Sequence, residues 1–172
     1  MSTIHSFAAI ASHDARVLIL GSMPGEVSLA KQQYYAHPRN SFWFIIEQLF
    51  NASLPLEYAQ RTALLMDNKI AVWDVLKACV RTGSLDASIK NDSVVANEFE
   101  TFFSQHADIK AVFFNGARAE KEFIKHVMPL QGIQLLDLEY HRLPSTSPAH
   151  AALSRDQKLS AWRVVADRVC LF

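Results

Sequence analysis

The sequence is poor in several features that mark large classes of protein. Its 172 residues contain two cysteines, Cys79 and Cys170, too few for a four-cysteine zinc or iron–sulfur site. With only five glycines, it has neither a P-loop nor the glycine fingerprint of a dinucleotide-binding fold. Its seven histidines are scattered, without a paired spacing beside a carboxylate. These absences predict a protein without a metal ion or another cofactor.

Two further absences concern location. No apolar run approaches the roughly 20 residues that a membrane span needs. Residues 1–16 lack the basic segment and the apolar stretch of a signal peptide. Two cysteines so far apart are typical of reduced, intracellular proteins. The sequence therefore predicts a cytoplasmic protein that does not associate with a membrane.

Charge of neither sign is in excess. The 17 basic and 17 acidic residues balance, which argues against a protein that binds nucleic acid through a strong overall charge. Residues 141–168, however, hold five Lys or Arg against two acidic residues. This mildly basic face can meet phosphates, although an ordinary solvated helix face explains the same pattern equally well.

The apolar residues occur in short runs separated by helix-like segments. Four runs predict strands, at residues 16–21, 70–73, 111–114 and 133–138. The first is apolar at successive positions, which indicates a strand buried on both faces. Strands that alternate with helices predict an α/β fold, with three α/β/α layers around a central four-stranded parallel sheet. No repeat or linker is present, so we predict a single domain over residues 1–172.

Polar residues follow each predicted strand. The loops after the four strands carry Asn40, Asp74, Asn115 and residues 145–147 in turn. In open α/β sheets, ligands bind at the edge where the carboxyl ends of the strands meet. The order of the chain therefore predicts that these residues converge on one site.

The loop at residues 81–93 is polar and rich in turn residues, and we predict that it crosses the same edge of the sheet. Its two aspartates, Asp86 and Asp92, are either acids of a site or caps of the loop. We interpret them as caps, because Asp commonly bonds to nearby backbone.

The first of these polar loops contains the sequence YYAHPRNSFW and leaves two alternatives open. Tyr35 either offers a flat face for a planar ring or is a half-buried packing residue. Asn40 either binds a substrate or caps the apolar helix that is predicted to begin at Ser41, itself a plausible N-cap. For Tyr35, packing is the commoner role of such a residue, and capping is a common role for Asn at such a boundary.

The last loop, LPSTSPAHA at residues 143–151, places three hydroxyl groups between two prolines. The prolines stiffen the loop, and hydroxyl and backbone N–H groups can hold phosphate oxygens. The alternative is a turn whose hydroxyls bond to their own backbone.

Three segments of the chain resemble the uracil-DNA glycosylase superfamily. Residues 21–25, GSMPG, are similar to the G-I-N-P-G motif of its mismatch-specific branch, and residues 38–43, PRNSFW, match the P-x-N-x-F-W that follows it. Residues 143–148, LPSTSP, resemble the proline-serine loop that clamps DNA in this superfamily. The segments lie at opposite ends of the chain, so the resemblance covers most of it.

One departure indicates a branch of the superfamily. Met23 stands where the G-I-N-P-G motif has its catalytic Asn, and a thioether can neither orient a water nor bond well to a base. With YYAHPRNSFW, this makes the chain most similar to the hypoxanthine-DNA glycosylase (DNA-deoxyinosine glycosylase) branch. There the Asn at the position of Asn40 is the residue tied to catalysis.

The resemblance implies a monomeric, monofunctional enzyme that acts on DNA containing deaminated bases. It flips out hypoxanthine and hydrolyses its N-glycosidic bond, leaving an abasic site. Alternatives are a uracil or mismatch glycosylase, or a catalytically silent nucleic-acid-binding module of the same fold. The site residues implied are Asn40 for catalysis; Tyr35, Ser22, Met23 and Asn115 for the base; and Ser145, Thr146, Ser147 and His150 for DNA.

Overall fold

The structure is a computed structural model that describes residues 2–53 and 55–172. The predicted domain, residues 1–172, contains residues 1 and 54, which lie outside the described residues. The strands are β1 (Thr3–His5), β2 (Val17–Gly21), β3 (Ile70–Asp74), β4 (Leu76–Val80), β5 (Val95–Ala96), β6 (Ala111–Asn115) and β7 (Glu139–Leu143). The helices are α1 (Glu26–Lys31), α2 (Phe42–Leu49), α3 (Tyr58–Asp67), α4 (Phe99–Gln105), α5 (Ala117–His126), α6 (Gln131–Gln134) and α7 (Arg155–Leu171).

The central sheet has four parallel strands in the order β3-β2-β6-β7. Strand β2 is central and wholly buried, with its side chains divided between two apolar clusters. Val17 and Ile19 pack towards α2, α3 and α7. Leu18 and Leu20 pack towards α4 and α5. The predicted three-layer α/β/α fold is therefore confirmed.

The fourth strand does not lie where the sequence predicted it. The run at 133–138 instead contains the end of the short helix α6, which buries Ile133 and leaves Leu135 81% exposed. The strand is the next segment, β7, which is largely polar because most of its side chains meet solvent, unlike those of β3 at the opposite edge. A search for apolar runs finds strands that are buried on both faces and misses such an edge.

A small antiparallel sheet, in the order β1-β4-β5, was not predicted. Strand β4 follows β3 after a single residue, Val75, so that the chain passes from one sheet into the other at Asp74. Strand β1 pairs with β4 and brings Ser6 to the same corner. The polar loop of residues 81–93 follows β4 and contains two short 3-10 helices, at Asp86–Ser88 and Asn91–Ser93. This second sheet therefore positions a loop over the carboxyl edge of the first.

Candidate active site

A cavity of about 330 Å³ opens at the carboxyl edge of the parallel sheet. The loops that follow β2, β4, β6 and β7 form its walls, whereas Asp74 at the end of β3 lies next to Gly21 without lining it. The lining includes Ser22, Met23, Tyr35, Asn40, Asp86, Asn115, Ser145, Thr146, Ser147 and His150. The structure thus brings together all nine residues implied by the resemblance, and adds Asp86.

Asn40 holds the start of α2 and lines the cavity at the same time. The backbone N–H of Phe42 donates to its Oδ1 atom at 3.0 Å. Ser41 occupies the N-cap position without a side-chain bond, while its backbone N–H donates to the carbonyl of Thr146 at 3.0 Å. The amide is therefore oriented by the helix, and no described residue accepts a hydrogen bond from its Nδ2 group. The two alternatives for Asn40 are compatible, since the cap bond leaves two N–H donors for a ligand.

Tyr35 also combines packing with exposure to the cavity. Its backbone is left-handed, with φ of 53°, and its ring stacks on Phe42 at 4.0 Å between centroids with an interplanar angle of 23°. Its hydroxyl is buried and has no hydrogen-bond partner among the described residues. Burial, followed by the nearby Asp74 carboxyl, raises the pKa of Tyr35. The hydroxyl therefore remains a protonated donor at any working pH.

The inner end of the cavity lies at Gly21, where two polar side chains approach the backbone closely. A Cβ atom at Gly21 would lie 2.6 Å from Oδ1 of Asp74 and 3.1 Å from the Tyr35 hydroxyl, so only glycine fits. Asp74 is 3% exposed, and Ser6 Oγ donates to its Oδ2 atom at 2.7 Å. Burial, reinforced by the nearby Asp86, raises the pKa of Asp74 to about 7.

Asp86 reaches the cavity from the 81–93 loop. Ser22 Oγ donates to its Oδ1 atom at 2.7 Å, across 64 positions of sequence. The interpretation of Asp86 as a cap of its own loop is therefore wrong. Burial raises the pKa of Asp86, while the Ser22 hydrogen bond and then the guanidinium groups of Arg81 and Arg118 lower it.

The loop of residues 143–151 is fastened to the end of β6 by a reciprocal pair of bonds. Asn115 Nδ2 donates to Thr146 Oγ1 at 2.9 Å, and the Thr146 backbone N–H donates to Asn115 Oδ1 at 2.9 Å. Thr146 is only 1% exposed. We therefore correct the prediction that Thr146 contacts DNA, because its hydroxyl and N–H are engaged within the protein. Ser145 Oγ accepts from the Ser147 N–H and Ser147 Oγ accepts from the Ala149 N–H, each at 3.2 Å, as the alternative of a turn bonded to its own backbone predicted. No described residue accepts from either hydroxyl, so each keeps its O–H donor for DNA, and His150 is exposed.

The model of the uracil DNA glycosylase superfamily matches residues 8–167 of the chain. The chain belongs to this superfamily. Two relatives are named hypoxanthine DNA glycosylase. The protein of Methanosarcina barkeri strain Fusaro is 38% identical over 114 residues, covering 66% of this chain and 71% of that protein. The protein of Methanosarcina acetivorans is 32% identical over 160 residues, covering 92% and 95% of the two chains.

A solved structure agrees with this assignment. The solution NMR structure of a provisionally assigned uracil DNA glycosylase from Methanosarcina acetivorans has a TM-score of 0.80 and 30% sequence identity. It covers 98% of this chain and 99% of its own. The aligned region therefore includes the segments that form both sheets of this chain.

Met23 sets this superfamily member apart from the G-I-N-P-G pattern. Its side chain lines the cavity and is 7% exposed, but a thioether is at most a weak acceptor. The strongly polar groups of the cavity therefore come from elsewhere in the chain, chiefly from Asn40, Asp86 and Asn115.

Lys158 is a residue of this site that the sequence analysis missed. It is 3% exposed, and its Nζ group donates to the carbonyls of Ser147 at 3.2 Å and His150 at 2.7 Å. Trp162, one turn later on α7, donates from Nε1 to the carbonyl of Pro144 at 2.9 Å. The spacing of four from Trp162 places Lys158 on the buried face of α7, a signal that the sequence did contain. The superfamily's proline-serine loop is thus held by α7 on one side and by β6 on the other.

Neither a membrane-spanning helix nor a metal cluster is found in the part of the chain that the structure describes. None of the helices within 2–53 and 55–172 is both long and apolar enough to cross a membrane. Over the same residues, no three His, Cys, Asp or Glu side chains are grouped so that they could hold a metal ion.

Proposed function

We propose that this protein is a DNA glycosylase that excises hypoxanthine, the product of adenine deamination, and leaves an abasic site. Two features together carry the proposal. Asn40 is oriented by α2 and has free N–H donors, and Met23 stands at the motif position where the G-I-N-P-G pattern has its catalytic Asn. The two relatives named hypoxanthine DNA glycosylase support it.

The reaction begins with a nucleotide that leaves the DNA stack and enters the cavity base first. Flipping costs a few kcal/mol and is easiest at a mispaired base such as hypoxanthine. Ser145, Ser147 and His150 lie where they can hold the flanking phosphates. The free face of the Tyr35 ring is placed to stack on the base, with Phe42 supporting the other face.

Hydrolysis then breaks the bond between C1′ of the sugar and N9 of the purine. The bonding electrons leave with the base, the oxygen of a water molecule bonds to C1′, and the water's proton completes the neutral products. Charge develops on the departing base as this bond lengthens. We assign Asn40 Nδ2 the role of donating a hydrogen bond that stabilises this charge in a site shielded from solvent.

An excision assay tests this function. Duplexes that carry deoxyinosine, uracil or xanthine are incubated with the protein and then treated with alkali, which breaks the strand at abasic sites. Breaks at deoxyinosine are expected. Breaks only at uracil would instead indicate a uracil or mismatch glycosylase, and DNA binding without breaks would indicate a silent binding module.

We further propose that the enzyme is a single domain that acts on DNA as a cytoplasmic monomer. Both cysteines, buried Cys79 and exposed Cys170, are free thiols, which fits a reducing compartment. Light scattering should give a mass near 19.4 kDa. A dimer at micromolar concentration would contradict the monomer.

Tyr35→Phe is expected to separate the ring of Tyr35 from its hydroxyl. Removing a buried hydroxyl without a partner should leave the free energy of unfolding unchanged or raise it by about 1 kcal/mol. The excision rate should change little, because solvent does not reach the hydroxyl and Phe keeps the ring that stacks on the base. Urea unfolding and single-turnover rates measure the two effects. A large loss of rate in Tyr35→Phe would show instead that the hydroxyl takes part in the reaction.

Leu85 is an exposed apolar side chain at the mouth of the cavity, and we propose that it enters the gap left by the flipped base. It is 57% exposed and lines the cavity beside Asp86. Apolar side chains that wedge between bases act only on stacked DNA. Leu85→Ala should therefore slow excision from duplex DNA by about tenfold and leave excision from single strands almost unchanged.

Leu135→Ala provides the matched control for this substitution. Leu135 is also exposed, at 81%, but it lies outside the cavity. A similar loss on duplex and single-stranded DNA in Leu85→Ala would rule out a wedge.

A further inference from the structure

The Asp86 carboxylate offers an unused acceptor to the cavity. It is the one carboxylate among the described residues that line the cavity. Its Oδ1 atom is fixed by Ser22, whereas none of residues 2–53 and 55–172 donates a hydrogen bond to Oδ2. Asp86 is half-buried, and its Oδ2 atom is not among the buried atoms that lack a partner, so solvent reaches it. A ligand in the cavity that donates a hydrogen bond can therefore take the place of water at Oδ2.

Asp86 lies close to the inner end of the cavity. Its Oδ1 atom accepts at 2.7 Å from Ser22, the residue that follows Gly21. Its charge also helps to raise the pKa values of Asp74 and Tyr35, the two groups that flank Gly21. The exposed lining residues lie at the mouth, at Leu85 and at His150, and His150 belongs to the loop that we assign to the phosphates. A flipped nucleotide stays attached to its strand through those phosphates, so its base points inwards. The group that meets Asp86 is therefore the hydrogen-bonding edge of the base.

Hypoxanthine and adenine differ at that edge. Hypoxanthine carries a proton on N1, which donates a hydrogen bond, and an oxygen on C6. Adenine has a lone pair on N1 and an amino group on C6. An ionised carboxylate accepts hydrogen bonds and donates none, so it pairs with the N1–H of hypoxanthine and repels the N1 lone pair of adenine.

We infer that Asp86, held by Ser22, is the specificity-determining residue that accepts the N1–H of a flipped hypoxanthine through Oδ2 and excludes adenine. The inference rests on the proposed function, which supplies the base. It deepens that function by naming how a repair enzyme spares the normal adenines that surround each lesion. Burial raises the pKa of Asp86, and the Ser22 hydrogen bond and the positive charges of Arg81 and Arg118 oppose this rise in favour of the ionised form that the role needs.

Binding to uncleavable DNA tests this role apart from the chemistry. The probes are duplexes with one 2′-fluoro nucleotide, carrying hypoxanthine, adenine or unsubstituted purine, opposite an abasic analogue. The fluorine slows cleavage of the glycosidic bond, and the abasic analogue removes differences in base pairing. Unsubstituted purine has neither the N1 proton nor the amino group, so it isolates the acceptor on N1.

The wild-type protein is expected to bind hypoxanthine about 100-fold more tightly than adenine or purine, because sites built around one hydrogen bond strongly reject analogues that lack it. In Asp86→Asn this preference should fall to about threefold, since an amide can accept from N1–H or donate to N1. Asp86→Glu, which keeps an acceptor-only group, should retain part of the preference. Asp92→Asn is the matched control, an exposed carboxyl of the same loop outside the cavity, and should keep the full preference.

Three results would overturn the inference. One is an undiminished preference in folded Asp86→Asn, and another is an equal loss of affinity for all three probes. The third result applies if Asp86→Asn does not fold. It is an undiminished preference for hypoxanthine in Ser22→Ala, which removes the hydroxyl that orients the Asp86 carboxylate. Failure of the proposed function looks different, because the wild-type protein would then not cleave ordinary deoxyinosine, whatever its binding preference.

Discussion

Asn40→Ala is expected to slow the single-turnover excision of hypoxanthine by about 10²–10³-fold, the usual cost of removing one donor to a developing negative charge. It should also lower the free energy of unfolding by about 1 kcal/mol, because the N–H of Phe42 loses its cap. Single-turnover rates are measured at saturating enzyme, so that weaker DNA binding does not affect them. A loss of about 1 kcal/mol in unfolding free energy leaves most of the protein folded, so partial unfolding cannot explain the expected fall in rate.

Asn40→Asp separates the cap from the chemistry. A carboxylate keeps an oxygen for the Phe42 N–H, and a negative charge suits the start of α2, so stability should match that of the wild type. The two Nδ2–H donors are lost, so the rate should fall as far as in Asn40→Ala. An active Asn40→Asp would show that the oxygen, and not the N–H, takes part in the reaction.

Asp74→Asn is expected to stabilise the protein above pH 7 by about 4 kcal/mol. The pKa of Asp74 is about 7 in the folded protein, against an ordinary value of 3.8. Each pKa unit of this difference corresponds to about 1.4 kcal/mol, so ionising this buried carboxyl strongly disfavours the folded state. Its contribution to stability is full below about pH 4 and is lost as the pH rises through about 7. Asn cannot ionise, so the variant escapes this loss.

Urea unfolding at pH 5 and pH 8 measures this effect. The difference in unfolding free energy between Asp74→Asn and the wild type should be much smaller at pH 5 than at pH 8. Exposed Asp92, changed to Asn, should follow the wild type at both values. Parallel pH profiles for wild type and Asp74→Asn would contradict the raised pKa. The Ser6 hydrogen bond can persist to the Asn oxygen, so the substitution keeps the local contact.

The strands that the sequence predicted share one property, burial on both faces. Strands β2, β3 and β6 are continuous apolar runs because helices cover the sheet on each side. Strand β7 lies at an edge and carries polar side chains, while the apolar residues just before it form a helical turn. In the small sheet, β1 and β5 have three and two residues, too few to show a pattern. Strand β4 has five residues, but the exposed Lys77 interrupts its apolar run.

The site was predictable where function leaves a local motif. Asn40 and the 143–148 loop stand in segments that resemble a family, and the structure brings them to one cavity. Asp86 has no such motif, because what defines it is a hydrogen bond to Ser22 across 64 positions. Thr146 was misjudged for the opposite reason: its hydroxyl looked available in the sequence and is engaged by Asn115 in the fold.

The N-terminal segment lies underneath the inner end of the cavity, and this has a practical consequence for handling the protein. Strand β1 pairs with β4, Ser6 bonds to Asp74, and the carbonyls of Phe7 and Ala8 accept from the Tyr34 hydroxyl at 3.3 and 3.0 Å. An affinity tag fused ahead of these residues can disturb the contacts that support the cavity, and a protease that removes them abolishes those contacts. Purification handles therefore belong after residue 172, and samples for kinetics should have their N-terminus checked by mass spectrometry.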